Sequence, residues 1–153
     1  MAELKTRLRT DLNQAMKARQ TFQTQALRMA LTAITNEEVA GASARELSAD
    51  EEQKILTREV RKRRESADIY AQANRSELAS KETAEADFLA TYLPAALTED
   101  ELDAIVTSVL AANPDATLKQ MGLIIKAVNA QVQGRAPGAT VAAKVKAALP
   151  PAA

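Results

Sequence analysis

The sequence predicts an all-α fold, and three observations carry that prediction. Thirty-three of the 153 residues are Ala, the best intrinsic helix former, whose small side chain also lets helices approach closely. Aromatic residues make up 3% of the chain and Gly and Pro number four and five, too few for a sandwich or barrel, which needs frequent turns and aromatic or β-branched strands. No stretch alternates apolar and polar with period two for long enough to form a strand.

Seven helices follow in order. The first, over 3–18, is predicted by Leu4, Leu8, Leu12, Ala15 and Met16, which recur at spacings of three and four and make one apolar stripe. A second, over 22–40, carries Phe22, Ala26, Met29, Ala30 and Ile34, a stripe wide enough to touch more than one neighbour; Gly41-Ala42-Ser43 breaks it. Ser48-Ala49-Asp50-Glu51 fits a capping box and opens a long third helix over 49–73. Asn74-Arg75-Ser76-Glu77 is a weaker start or a kink before a fourth helix over 75–92, which Pro94 stops. A second capping box, Thr98-Glu99-Asp100-Glu101, opens the fifth helix over 99–111, with Leu97 and Leu102 placed as a hydrophobic staple. Asn113-Pro114-Asp115 separates it from a sixth helix over 117–132 that starts at Thr117-Leu118-Lys119-Gln120, and a Gly-bracketed loop precedes the seventh over 139–148. The expected organisation is an N-terminal helical hairpin or bundle domain over 1–93, a three-helix tail domain over 97–149, and a frayed tail over 150–153. Ala, Leu, Ile, Val and Met must supply the core.

Composition also restricts the chemistry. The chain has no Cys and no His, so it cannot by itself build a zinc finger, a disulfide framework, a Cys or His nucleophile site or an imidazole base. Catalysis would have to rest on carboxylates, Lys, Ser, Thr or Tyr. Glu37 with Glu38, Glu82 with Glu85, and Asp100 with Asp103 are carboxylate pairs, yet none is joined by a residue that would define a general acid and base. No catalytic residue, metal or cofactor is assigned. The first residues lack the apolar run of a secretory signal and no ~18-residue apolar stretch could span a bilayer; the expectation is a cytoplasmic protein with no membrane partner.

Formal net charge is zero, but the charges are unevenly spread. Residues 1–75 hold 14 basic and 11 acidic side chains, residues 76–115 hold one basic and nine acidic, and residues 116–153 hold five basic and none acidic. The carboxyl end therefore reads as a cationic module behind an acidic segment, and local charge governs the field at a binding surface. Within it, Lys119, Gly122 and Lys126 share one helix face. A glycine there costs roughly 1 kcal/mol relative to Ala, so it serves either close packing of another helix or the approach of a sugar–phosphate backbone between two ammonium groups. Gly134-Arg135-Ala136-Pro137-Gly138 adds a cationic loop leading into a helix, where Gly134, Arg135 and Gly138 could present amides and a guanidinium to phosphate. Lys144 and Lys146 follow on the last helix. On the third helix Lys54, Arg58, Arg61 and Lys62 fall at i, i+4, i+7 and i+8, one face about 100° wide, read first as a solvated face with intrahelical carboxylate partners. Arg63 projects instead near Leu56, Ala67 and Tyr70, which predicts a structural ion pair or a ligand contact in a groove.

Several short segments in order resemble the GatB/YqeY family: Asp11 with Ala15-Met16-Lys17, Leu27-Arg28, Arg61-Lys62-Arg63-Arg64-Glu65-Ser66, Asn74-Arg75 with Glu77-Leu78, Tyr92-Leu93-Pro94, Met121-Gly122, and Gly134-Arg135 with Gly138. Each is short; their order and spacing make the match, from about Leu4 to Leu149. Gln20, Ala96, Gln120 and Pro137 depart from the family pattern, the last two by replacing acidic residues and so making the tail more cationic. The resemblance implies a stand-alone relative of the carboxyl-terminal tail of the GatB component of the tRNA-dependent amidotransferases. In that component the tail contacts tRNA, while ammonia production and activation of the aminoacyl ester take place elsewhere. A carbon–nitrogen ligase activity with glutamine as amido-N-donor is associated with the family, but the residues here build no autonomous site for it.

The expectation is thus a tRNA-binding or amidotransferase-associated accessory protein. It would hold tRNA or another structured RNA through Lys119, Gly122, Lys126, Gly134, Arg135, Gly138, Lys144 and Lys146, with Arg58, Arg61 and Arg63 as further candidates. An amidotransferase or an aminoacyl-tRNA synthetase is a possible protein partner. The alternative is a protein–protein adaptor using the acidic helix over 77–87 and exposed parts of the long hairpin.

Overall fold

The computed structural model describes residues 3–152. Its elements are α1 (Glu3–Lys17), α2 (Thr21–Glu38), α3 (Ala49–Gln72), α4 (Ser76–Ala90), α5 (Glu99–Ala111), a single 3-10 turn (Leu118–Gln120), α6 (Met121–Val132) and α7 (Gly138–Ala148). No strand occurs among the described residues, and no helix among them is long and apolar enough to cross a membrane. Packing divides the chain into two compact units, Met1–Leu93 and Pro94–Ala153.

The first unit contains α1 to α4. Leu8, Ala26, Leu27, Ala30, Ile34, Leu56, Ala86 and Leu89 form the centre of its core, so the aliphatic and Ala-rich stripes meet as their spacing requires. Ser48 and Glu51 close the expected capping box at the start of α3: the Ser48 hydroxyl accepts from the Glu51 amide, and the Glu51 carboxylate accepts from the Ser48 amide at 2.8 Å. The Asn74 segment is a tight turn rather than a kink. Asn74 adopts φ 58°, and the Arg75 amide donates to the Tyr70 carbonyl at 2.8 Å, so α4 doubles back along α3. Beyond the end of α4, Tyr92 is pinned onto α1. Its hydroxyl donates to Asp11 Oδ2 at 2.5 Å, its ring stacks edge-on against Phe88, and the Arg7 guanidinium lies 4.6 Å above it.

Two features of this unit depart from the periodicity. Met16 and Met29, expected in the apolar stripes, are 47% and 36% exposed. Leu27 takes the inward place on α2, and the two thioethers lie against arginines, Met16 Sδ 3.9 Å from Arg28 and Met29 Sδ 3.3 Å from Arg63. Conversely, two acids are buried, Glu52 and Glu85. Glu52, in the first turn of α3, is 0% exposed, and its Oε2 accepts from the Lys5 amide at 3.1 Å, so a side chain of α3 caps α1 across the core.

The second unit contains α5 to α7. Leu102, Val106 and Val109 of α5, Ile124, Val128 and Val132 of α6, and Val141 and Val145 of α7 with Leu149 interlock in one cluster. Thr98 and Glu101 form the second capping box, and Leu97 packs on the same cluster as Leu102. The predicted start at Thr117 is also a capping box, with Gln120 as its partner, but the turn it opens is 3-10 and α6 proper begins at Met121. Pro150, expected in the frayed tail, is held: its carbonyl accepts from the Leu118 amide at 3.0 Å.

Candidate nucleic-acid interface

The residues of the expected RNA face separate into exposed and neutralised groups. Ile124, Val128 and Val132 turn one side of α6 to the core. At 100° per residue, Gly122 and Lys126 then fall on the opposite side, and both are exposed, as is Lys119 in the preceding turn. A Cβ built on Gly122 would meet nothing within 4 Å. Close packing of another helix, one of the two reasons for a glycine here, is therefore not seen among the described residues; the same outer face also carries Leu123, 63% exposed.

Lys144 leaves the set. Its Nζ lies 2.7 Å from Asp103 Oδ1 and 3.4 Å from Glu99 Oε1, and its side chain is 20% exposed; the Asp103 hydrogen bond raises its pKa above the ordinary value. Helix α7 turns Val141, Val145 and Leu149 inward, which puts Lys144 and Lys146 on opposite flanks; the first meets α5, and the second is exposed without an ion pair among the described residues. Arg135 is also committed in part. Its Nε donates to the Ala95 carbonyl at 2.9 Å and its own carbonyl accepts from the Leu97 amide at 2.8 Å, which ties the loop to the start of the unit. Gln133 and Gly134 adopt φ 51° and 76°, the left-handed region in which glycine is unstrained. Gly138 is the first residue of α7, and a Cβ there would meet nothing within 4 Å. The basic segment read as a separate cationic module thus folds onto acidic α5. Lys119, Lys126, Arg135, Lys144 and Lys146 share their unit with Glu99, Asp100, Glu101, Asp103 and Asp115, and the unit is formally neutral.

In the first unit Arg63 is an ion-pair node. It is 17% exposed in its side chain, lies 3.2 Å from Glu82 and 3.4 Å from Glu85, and joins α3 to α4. Arg58 faces Glu37 of α2 at 3.7 Å, Arg61 faces Glu65 at 3.8 Å, and Lys62 faces Glu59 at 3.0 Å; the solvated-face reading fits this stripe. Arg58 and Lys62 border an open groove of about 490 Å³ between α2 and α3, with Met29, Ala33 and Asn36 among its lining. The carboxylate pairs are drawn into the same kind of contact: Glu37 with Arg58, Glu38 with Lys5, Glu82 and Glu85 with Arg63. No group of three or more acidic side chains able to hold a metal ion occurs among the described residues.

What sequence reasoning missed is the basic surface of α1 and α2. Arg9, Lys17, Arg19 and Arg28 are exposed, and none forms an ion pair among the described residues. The signal was present in the local charge: between positions 6 and 36 the chain carries Arg7, Arg9, Lys17, Arg19 and Arg28 against Asp11 alone. Counting charge over the whole of 1–75 hid it.

No curated protein matches the chain. A family model described as Yqey-like protein does match, over residues 5–149, from the first turn of α1 to the residue that closes the second core. That span takes in both units and every segment that carries the resemblance. The chain belongs to the YqeY-like family.

Proposed function

We propose that this protein is an RNA-binding accessory of tRNA-handling enzymes, the tRNA-dependent amidotransferases foremost, and that it holds folded RNA against the outer face of α6. The observation that carries the reading is the open space at Gly122 between the unpartnered ammonium groups of Lys119 and Lys126. Two cations about two turns apart, with the bare Gly122 backbone on one side of the path between them and the exposed Leu123 on the other, suit a ribose–phosphate strand crossing the helix. Lys146 adds charge from α7; Lys144, tied to α5, does not. Recognition is by shape and phosphate rather than by base stacking, since residues 94–153 contain no aromatic side chain.

The test separates fold from function at one residue. Gly122→Ala adds a methyl group into empty space on a helix, so it should stabilise the protein by about 0.5–1 kcal/mol while leaving tRNA affinity equal or weaker. Lys119→Glu with Lys126→Glu should weaken tRNA binding at low salt by at least tenfold, as measured by fluorescence anisotropy. Affinity for tRNA unchanged in the double variant would refute this contact surface, and glutamine-dependent amidation of misacylated tRNA by the purified chain alone would refute the accessory role.

One observation favours a second reading, a protein adaptor. Ile69 and Leu78, on either side of the α3–α4 turn, are 65% and 37% exposed. The acidic face expected to serve such a partner is weaker than the sequence implied, because Glu82 and Glu85 are taken by Arg63 and Asp87 by Arg64. A stoichiometric partner retained after nuclease treatment, and lost with Ile69→Asp, would favour this reading over the first.

A further inference from the structure

We infer that the α1–α2 hairpin carries a second anion-binding surface, built from Arg9, Lys17, Arg19 and Arg28, that takes backbone phosphates of structured RNA. The inference rests on the RNA reading above and extends it to the first unit. Arg9, Asn13, Met16 and Lys17 stand at i, i+4, i+7 and i+8 on α1, all exposed, which puts them on one stripe about 100° wide. Helix α2 completes it: the Arg28 guanidinium lies 3.9 Å from Met16 Sδ, at the edge of that stripe. Asp11, the one acid between positions 6 and 36, projects from the other side of α1 and is engaged by the Tyr92 hydroxyl.

Two contrasts set this patch apart from an ordinary solvated surface. Four exposed arginines elsewhere in the unit have carboxylate partners, Arg45 with Glu51, Arg58 with Glu37, Arg61 with Glu65 and Arg64 with Asp87, while Arg7 lies over the Tyr92 ring and Arg75 stands alone beyond α3. Here four cations of one hairpin have no carboxylate partner among the described residues, and an external polyanion would supply the missing counter-charge. Arg19 moreover closes the α1 terminus with φ 54°, in a turn where the Gln20 amide donates to the Ala15 carbonyl at 2.9 Å. That is the position of a terminating glycine, yet an arginine is held there against its steric preference. Three of the four cations are guanidinium groups, which match phosphate bidentately. Met16 is the sole large apolar side chain exposed in the stripe, too little to insert into a lipid surface or to anchor a protein interface.

The experiment is tRNA binding by the full chain across a salt series, starting on the order of 50 mM. Arg9→Gln, Lys17→Gln, Arg19→Gln and Arg28→Gln combined should weaken affinity at low salt by at least tenfold and flatten the log–log salt slope by about 3–4; lysine at the three arginine positions should restore the slope. Arg19→Gly alone should melt no lower than the wild type, because glycine relieves the left-handed backbone, yet should flatten the slope by about 1, which distinguishes lost contact from lost fold. Wild-type affinity and slope in the Gln variant, with the Lys119→Glu and Lys126→Glu variant impaired, would overturn this surface and leave the RNA reading standing. A wild-type protein that binds no tRNA at low salt, or that binds vesicles of anionic phospholipid instead, would overturn both.

Discussion

Glu52 is the residue whose environment the sequence least announces. An acid three positions into a capped helix reads as a surface residue interacting with the helix dipole. Its carboxylate is in fact fully buried, with Oε2 on the Lys5 amide, while Oε1 has no hydrogen-bond partner among the described residues. The cost of that burial is set against the capping of α1, whose first amides have no intrahelical acceptor. Glu52→Ala removes the cap and leaves a void, and should destabilise the first unit by about 2 kcal/mol in urea denaturation. A loss below about 0.5 kcal/mol would mean that α1 needs no such cap. Arg63 makes the same point with the opposite outcome: its neighbours on the helix wheel identified it as inward-facing, but its partners, 19 and 22 positions further on, are set by how α4 folds back.

At the scale of single elements the chain is explicit, because caps and periodicity are local. The three capping boxes stand where the four-residue patterns put them; most helix ends deviate by a residue or two, and α6 starts four residues late because a 3-10 turn takes its first residues. One start has a consequence for pH. Hydrogen bonding from the Arg45 guanidinium, reinforced by the Ser48 amide, lowers the Glu51 carboxyl from 4.5 to about 2. A carboxyl depressed in the folded state stabilises above its unfolded value and loses that contribution as pH falls toward the folded one. Hydrogen-exchange protection factors at the first turn of α3, referred to the intrinsic rate at each pH, should therefore fall between about pH 4.5 and pH 2. In Glu51→Gln that pH dependence should vanish, and high salt should weaken it because the pair is exposed. The start of α5 should follow the same direction, since the Thr98 amide lowers the Glu101 carboxyl.

At the scale of the whole molecule the governing fact is that two cores share no residue. One is centred on Leu8, Leu27, Ile34, Leu56 and Leu89, the other on Ile124, Val128, Val141 and Val145. Val128→Ala, at a fully buried position, should cost about 1–2.5 kcal/mol and lower hydrogen-exchange protection in α5 to α7 while leaving α1 to α4 unchanged. Equal losses in both sets of helices would show one cooperative unit instead of two. Zero net charge likewise divides by region: residues 94–153 are formally neutral, whereas residues 6–36 carry five basic side chains against one acidic, with Arg9, Lys17, Arg19 and Arg28 without an ion pair among the described residues. Candidate RNA contacts are distributed over both regions and are not concentrated at the carboxyl end.

The sequence by itself determined which segments are helical, where they begin, and which stripes face inward, because each follows from interactions spanning at most a few turns. Lys119, Gly122 and Lys126 were legible as a face for the same reason. Which cations remain free was decided only by the fold. Lys144 meets Asp103 and Glu99 at 41 and 45 positions' distance, and Arg28 reaches Met16 from the next helix. Charge is screened or satisfied through space, and beyond the three- and four-residue spacings within one helix, to which Lys62 with Glu59 and Arg61 with Glu65 belong, no pattern along the chain reports which carboxylate will come within 4 Å of which cation.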